Sequence, residues 1–494
     1  MTRRALRERL PLLVVIAGFV ASRVLYAELG ITLEDDPLRY FWQYLERGEL
    51  ETNLLEAVYY QHTQPPLFNL YLGLGLKTAR PLLFFRAGAF VLGLVLHLSL
   101  FALARRLGVR AWLAALASLT FAFNPASILM ECWLFYEHAA SALIMLSAAL
   151  LHRAIATERG WTLFFALLAM ALVVLTRSLF HLGWMLAAIV IVLMFSRRRL
   201  RALAIALVPL ALASSVYVKN WVVFGRPVAS TWMGFSLSRL TTTKLNPMER
   251  DALMREGVLS ELADDPPWLP LGHYPRERRA LPEGWPEVRV LTTANRSPVH
   301  PNFNHGAYVA ISETYAADAR VVLERVPEVW WESTKHAWTL HFLPIHDYTF
   351  FEAQRRRAGP WMRAIERVYE RLAGSGFAEW EGWDAPPPPV EERPGWAWAV
   401  ITGLALLVAL VIALKRRRAT GAALLFCVFT ITWVAVVGNS LEVGENQRFR
   451  FLSEPLMWVL AALVIDRALV ALGAMRRRLT VAFRSRRRAP IAGR

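Results

Sequence analysis

Residues 81–106 read PLLFFRAGAFVLGLVLHLSLFALARR. Eighteen apolar or weakly polar positions separate Arg86 from the closing pair Arg105-Arg106, a stretch close to the thickness of a bilayer's hydrocarbon core when wound as a helix (about 27 Å). A basic pair at the end of such a run is what a cytoplasmic boundary carries. Pro81 opens the run, where a missing N–H costs a helix nothing.

The same signature recurs outward in both directions. Apolar runs lie at Leu10–Ala27, Ala111–Met130, Trp133–Leu151, Trp161–Thr176, Leu179–Phe195 and Ala202–Val218. Three more lie at Trp396–Leu414, Ala419–Val437 and Phe451–Leu472, so the expectation is a mainly α, polytopic helical bundle of about ten spans. The composition agrees: of 494 residues, 55% are hydrophobic and 19% charged, too few charges to cover a soluble domain of this length. The net charge of +17 falls in short arginine runs between apolar segments, which excludes a nucleic-acid face and points to loops against anionic lipid. The two cysteines, Cys132 and Cys427, lie in apolar runs and give neither a disulfide framework nor a zinc spacing. Leu10–Ala27 lacks a small-residue cleavage site and is expected to remain as a span.

With the N-terminus in the cytoplasm, Arg105/Arg106, His152–Arg159, Arg197–Arg201, Lys415–Arg418 and Arg476–Arg488 all fall inside. That places both termini in the cytoplasm of a multi-pass plasma (inner) membrane protein. Residues 1–218 form an N-terminal membrane module, and its first outer loop covers 28–80. Residues 219–394 form a larger, α-rich outer loop domain, and 395–494 hold the last spans and a basic tail. In the first loop Tyr40, Phe41, Tyr44 and Leu45 share one helical face, the pattern of an amphipathic helix along the membrane surface. In the second, a helical stretch from Val309 to Phe342 is interrupted at Pro327, and Pro386–Pro389 reads as an extended spacer.

Candidate chemistry gathers at the outer ends. Glu34-Asp35-Asp36 follows the first span; it is equally a general base or cation ligand and a solvated acidic turn before Pro37. His62 and Gln64 precede Pro65-Pro66, whose role is met by opening a helix. Arg448 and Arg450 break the positive-inside pattern: they suit a lipid phosphate, or pairing with Glu442 or Glu445. Arg177 and Lys219 are further cations near the outer surface, and Glu137-His138 places an ionisable pair inside a span. The outer-loop residues His300, His305, His336, His341, His346 and Asp347 show no helical ligand spacing such as HExxH, which argues against a metal there.

These pieces, in this order, resemble the GT-C superfamily of membrane glycosyltransferases, and within it the protein-mannosyltransferase and aminoarabinose-transferase-like group. Asp35-Asp36-Pro37 with Tyr40 and Gly48 is similar to that family's first-loop motif, and Gln64-Pro65-Pro66-Leu67 to its step into the next helix. Arg86, Ala104-Arg105-Arg106-Leu107-Gly108, Asn124-Pro125 with Glu137, Thr176-Arg177 and the stretch Lys219–Pro227 follow in the family's order. Glu445-Asn446-Gln447-Arg448-Phe449-Arg450 is like its closing motif. The chain departs from the pattern in carrying Asp35-Asp36 for Asp-Glu and Gln64 for a basic residue. The likeness fades within Leu245–Ser297 and from Ile345 to the proline run.

The resemblance implies an inverting transfer of a hexosyl or pentosyl unit from a polyprenyl-phosphate sugar to a hydroxyl of a glycan, lipid or protein at the cell envelope. It implies Asp36, or Asp35, as the base; Arg448, Arg450, Lys219 and Arg177 on the donor phosphate; and Tyr40, His62, Gln64, Glu137 and Asn220 around the substrates. A divalent cation, Mg or Mn, serves some members. The rival readings are a flippase for lipid-linked sugars or another transporter, and an inactive binding subunit.

Overall fold

A computed structural model describes residues 3–297, 300–373, 395–415 and 418–487. Helices dominate; among the described residues the only paired strands are Asn295–Ser297 and His300–Pro301, antiparallel. Pro386–Pro389 lies outside the described residues, as do Arg416 and Arg417 of the basic run.

The principal helices are α1 (Arg3–Glu28), α2 (Pro81–Arg106), α3 (Ala111–Ala122), α4 (Pro125–Cys132), α5 (Tyr136–Thr157), α6 (Gly160–Val174), α7 (Leu182–Phe195) and α8 (Arg199–Phe224). There follow α9 (Ala307–Arg325), α10 (Pro327–His341), α11 (Glu352–Ala373), α12 (Trp396–Lys415), α13 (Ala419–Leu441), α14 (Asn446–Phe451) and α15 (Glu454–Arg487). By length and composition seven of these can cross a membrane: α1, α2, α5, α8, α12, α13 and α15. The chain is a mainly α, polytopic membrane protein.

The expected count of ten is corrected on three runs. The run at 111–130 breaks into α3 and α4, bent by 55°. Pro125 cannot donate within a helix, and the Asn124 side chain instead caps the new one by accepting from Ala126 N at 3.0 Å. As one span the bent pair brings the count to eight. α6 and α7, with 15 and 14 residues, reach only about 22 Å each. Between them Arg177 turns inward to Glu137 and Tyr136, so the chain leaves the helix at Leu175 rather than carry a cation into lipid.

α5 is the hub, packed on α2, α6 and α13. Its Ala140, Ser141, Ala142, Ser147, Ala148 and Ala149 are buried, and small residues let helix backbones approach where lipid supplies no hydrophobic drive. One end of the bundle is basic: Arg106 donates to Ala149 O (2.6 Å), Arg110 pairs with Asp466 (2.7 Å) and Arg197 with Glu158 (3.9 Å). The opposite, loop end gathers residues 28–80 and 219–373.

The expected amphipathic surface helix is absent from the loop end. Residues 37–59 form three short pieces, Pro37–Tyr40, Arg47–Thr52 and Leu54–Tyr59, and Phe41 is already extended (φ −69°, ψ 124°). Phe41 and Tyr44 are instead buried against Trp133, Phe135 and Phe350. Burying each ring is worth about 1.5–3 kcal/mol, more than the ~1 kcal/mol of a helical hydrogen bond lost. Arg296 fixes this course. Its buried guanidinium donates to the carbonyls of Phe41, Leu38 (3.1 Å) and Leu45 (3.4 Å).

Candidate functional site

The loop end of α13 builds the site. After Leu441 the chain reverses through Gly444, whose φ of 114° strains any residue with a Cβ. Asn446 knits the turn: its Oδ1 accepts from Gly444 N (3.0 Å), and its Nδ2 donates to Asn439 Oδ1 and Glu442 O (both 2.9 Å). A Cβ on Gly444 would strike the Arg239 guanidinium, so the glycine is what lets that cation approach. α14 then carries Arg448 inward.

Arg448 lines a cavity of about 450 Å³. Arg177 and Arg239 share that lining with it, as do the carboxylates of Glu442 and Glu445. The side toward the spans is apolar, with Leu182 of α7, Tyr217 of α8, and Val437 and Leu441 of α13; Trp42 and Trp268 border the loop side. This is an amphiphile's cavity, polar at one end and greasy at the other.

Its charges are held from behind. Arg448 lies 3.2 Å from the fully buried Glu137 and also pairs with Glu445. Arg177 lies 4.0 Å from Glu137 and bonds Tyr136 Oη. The guanidinium of Arg448 is ringed by Phe135, Phe449, Trp133 and Tyr348, 5.1–5.8 Å from each ring centre. Tyr348 donates to Glu445 at 2.6 Å. Burial pushes Glu445 up, but Arg448 and that hydrogen bond outweigh it and hold the carboxyl below its ordinary value. Glu442 accepts from Arg239 (3.0 Å) and Ser236 (2.7 Å), yet burial still leaves it above its ordinary value. A lining of three guanidinium groups, fixed by carboxylates and rings, can accept a phosphate without reorganising.

The structure brings some of the sequence candidates together and separates others. Arg177, Arg448 and Gln64 line the cavity, and the buried Gln64 Oε1 has no hydrogen-bond partner. Glu137 stands behind it. Arg450 lines a different cavity, of about 340 Å³, between α3, α12 and α15. Lys219 donates to Gln61 O and lines neither cavity. Asn220 clamps the turn after α8 through Val228 O (2.6 Å).

His62 is a clamp as well. Asn304 O can only accept, so Nε2 donates to it (3.0 Å) while Nδ1 accepts from Thr231 (2.8 Å). Burial, and then Lys219, push His62 down to about 3. Tyr40 stacks on Phe350 and lines neither cavity.

Asp35 and Asp36 also line neither. Asp36 is exposed and 3.8 Å from Arg39, while Glu34 pairs with Arg357. The contacts linking this strip to the cavity run through Trp133: Glu34 bridges its backbone, and Arg448 lies 5.8 Å from its ring. Arg86, which the sequence placed only at the start of a span, donates to Leu33 O at 3.1 and 3.2 Å and so fixes the residue just before the strip. Arg239 and Tyr348 were missed. Arg239 lies on a short helix, Met233–Leu240, within a segment lacking any motif, and no local signal marks it.

The cavity does not fit a cation. Every carboxylate oxygen of Glu442 and Glu445 already accepts from a guanidinium, hydroxyl or phenol, beside three positive charges. Among the described residues one trio of ligand atoms lies within 4.8 Å, on His346, Glu366 and Glu370. It lies away from the cavity, and both Glu366 oxygens accept from Arg355 (2.6 and 3.1 Å).

No protein-family model matches the chain, and no curated protein matches it. Among solved structures the fold is similar to the oligosaccharyltransferase of Archaeoglobus fulgidus in the apo form, at 11% identity and a TM-score of 0.42, over 95% of this chain and 52% of that one. It is also similar to the archaeal oligosaccharyltransferase AglB from Archaeoglobus fulgidus in complex with an inhibitory peptide and a dolichol-phosphate. There the identity is 11% and the TM-score 0.36, over 96% of this chain and 52% of that one. The chain thus spans about half the length of the solved proteins it matches.

Proposed function

We propose that this protein is a glycosyltransferase that moves a sugar from a polyprenyl-phosphate donor to an acceptor hydroxyl at the non-cytoplasmic face of the plasma membrane. One observation carries the reading: the cavity pairs an apolar side on three apolar helices with Arg177, Arg239 and Arg448. The prenyl chain lies along Leu182, Tyr217 and Leu441, and the phosphate meets the guanidinium groups. Gln64 Oε1, buried and unpartnered, accepts from a sugar hydroxyl.

The reaction is a single displacement. The acceptor O–H gives its proton to a carboxylate, the oxygen attacks the anomeric carbon, and the carbon–oxygen bond to phosphate breaks with its electron pair going to the phosphate. Arginines already fixed in place stabilise that growing charge. Asp36, with Asp35 beside it, is the base in this reading, carried over from the first-loop motif. It lines neither cavity, so transfer requires the acceptor hydroxyl to bridge its exposed carboxylate and the anomeric carbon of the bound donor. The basic end faces the cytoplasm, in accord with the positive-inside rule.

The test is transfer by the purified protein in liposomes loaded with a polyprenyl-phosphate sugar. Product with the wild type and none with Arg448→Met is expected. Donor that crosses the bilayer without transfer would replace this reading by a flippase.

A further inference from the structure

The second cavity, about 340 Å³, lies between α3, α12 and α15 and is capped by Tyr369 and Glu370 of α11. Most of its surface is apolar, contributed by residues such as Leu116, Ala117, Ile401, Ala462 and Ile465, all on apolar helices. Its polar end is mixed in sign. Arg450 is the one lysine or arginine of the lining, Glu454 and Glu370 supply two carboxylates, and His346 lies 3.9 Å from Glu370. Arg450 and Glu454 are 5% and 4% exposed. Their Nε and Oε2 atoms face each other at 3.8 Å, and neither has a hydrogen-bond partner. Buried charged atoms left unsatisfied are costly, and a ligand that met both would remove that cost.

We propose that this cavity holds one chain of a bilayer phospholipid with a zwitterionic headgroup, its phosphate on Arg450 and its ammonium on Glu454 and Glu370. The sign of the lining selects the headgroup: two carboxylates beside one guanidinium repel a purely anionic lipid and attract one that carries its own cation. α11 supplies the route. Trp361, Val368 and Leu372 are exposed along one stripe, Arg363, Arg367 and Arg371 along another, the division of an in-plane interfacial helix. Leu372 belongs both to the apolar stripe and to the cavity's rim, so the bilayer surface and the cavity are continuous. Arg448 and Arg450, two residues apart on α14, thus serve different lipids.

The full chain, purified from mixed vesicles of phosphatidylethanolamine and phosphatidylglycerol, is assayed for retained lipid by native mass spectrometry. Phosphatidylethanolamine is expected to be retained about tenfold over phosphatidylglycerol, the size of one charge-assisted hydrogen bond. Ala462→Phe, which fills the cavity, is expected to release the lipid. Glu370→Gln, which keeps the side chain's shape and removes its charge, is expected to lower the preference while keeping a lipid bound; it decides the matter if Ala462→Phe does not fold. Equal retention of the two lipids by the wild type, or an unchanged preference in Glu370→Gln, would overturn the proposal. So would soluble phosphoethanolamine displacing the lipid, which would mean that the headgroup alone binds.

Discussion

Carboxylates gather twice at the loop end, and the two sets differ in what surrounds them. Asp36 is 56% exposed, and its partner Arg39, at 3.8 Å, is 75% exposed. Glu137 is fully buried, and its partner Arg448, at 3.2 Å, is 3% exposed. An exposed pair of the first kind is worth about 0–1 kcal/mol; breaking a pair of the second kind by removing one partner costs about 3–5 kcal/mol, because a charge is left buried alone. The same chemistry therefore sits in two settings: the strip is exposed, and in the proposed reaction it takes the proton, whereas the cluster fixes the shape and charge of the cavity.

The largest expected effect lies in the cluster. Glu137→Ala should lower unfolding stability in detergent by about 3–5 kcal/mol, with donor binding lost in parallel. The double variant Glu137→Leu with Arg448→Met should recover much of the stability but none of the binding. A single variant that unfolds like the wild type would erase the distinction between the two sets.

Next comes pH. His62, His341 and His346 are each pushed down to about 3, mainly by burial. Their folded values lie below the ordinary 6.5, so their contribution is complete above pH 6.5. It is lost as the pH falls toward 3, where the unfolded chain binds protons that the folded one refuses. Each contributes a slope of about 1.4 kcal/mol per pH unit in that window. His62→Gln should remove one such share from the acid limb of stability against pH, and an unchanged limb would mean that His62 is already protonated in the fold.

The smallest expected effect on stability is at the strip. Asp36→Asn should leave the melting temperature almost unchanged, within about 0.5 kcal/mol, while abolishing transfer in the liposome assay. Full activity in that variant would remove Asp36 from the mechanism.

The bundle was legible because its signals are local: apolar length, basic ends and the prolines at 65, 66 and 327 each act through the backbone beside them, although the break at Pro125 was read through as one span. Pro66 does precede the helix Leu67–Leu76, and the helical stretch does break at Pro327. What eluded sequence reading was non-local. The stripe Tyr40-Phe41-Tyr44-Leu45 fits a surface helix until Trp133 and Phe350 offer the rings a better burial. Arg448 was identified, but that Glu137 of α5 lies behind it and Arg239 beside it depends on how distant helices pack. The pair Arg448 and Arg450 looked like one phosphate clamp because they are two residues apart; a helix turns such neighbours to different sides, and here to different cavities.

The central claim is that the cavity holding Arg177, Arg239 and Arg448 binds a polyprenyl phosphate. Its most direct test is the dissociation constant of a short-chain polyprenyl phosphate, measured by tryptophan fluorescence on the purified protein, since Trp42, Trp232 and Trp268 border the site. Arg239→Gln, at a partly exposed side chain, should weaken binding about tenfold, and Arg450→Gln should leave it unchanged. Equal weakening by both, or by neither, would contradict the account.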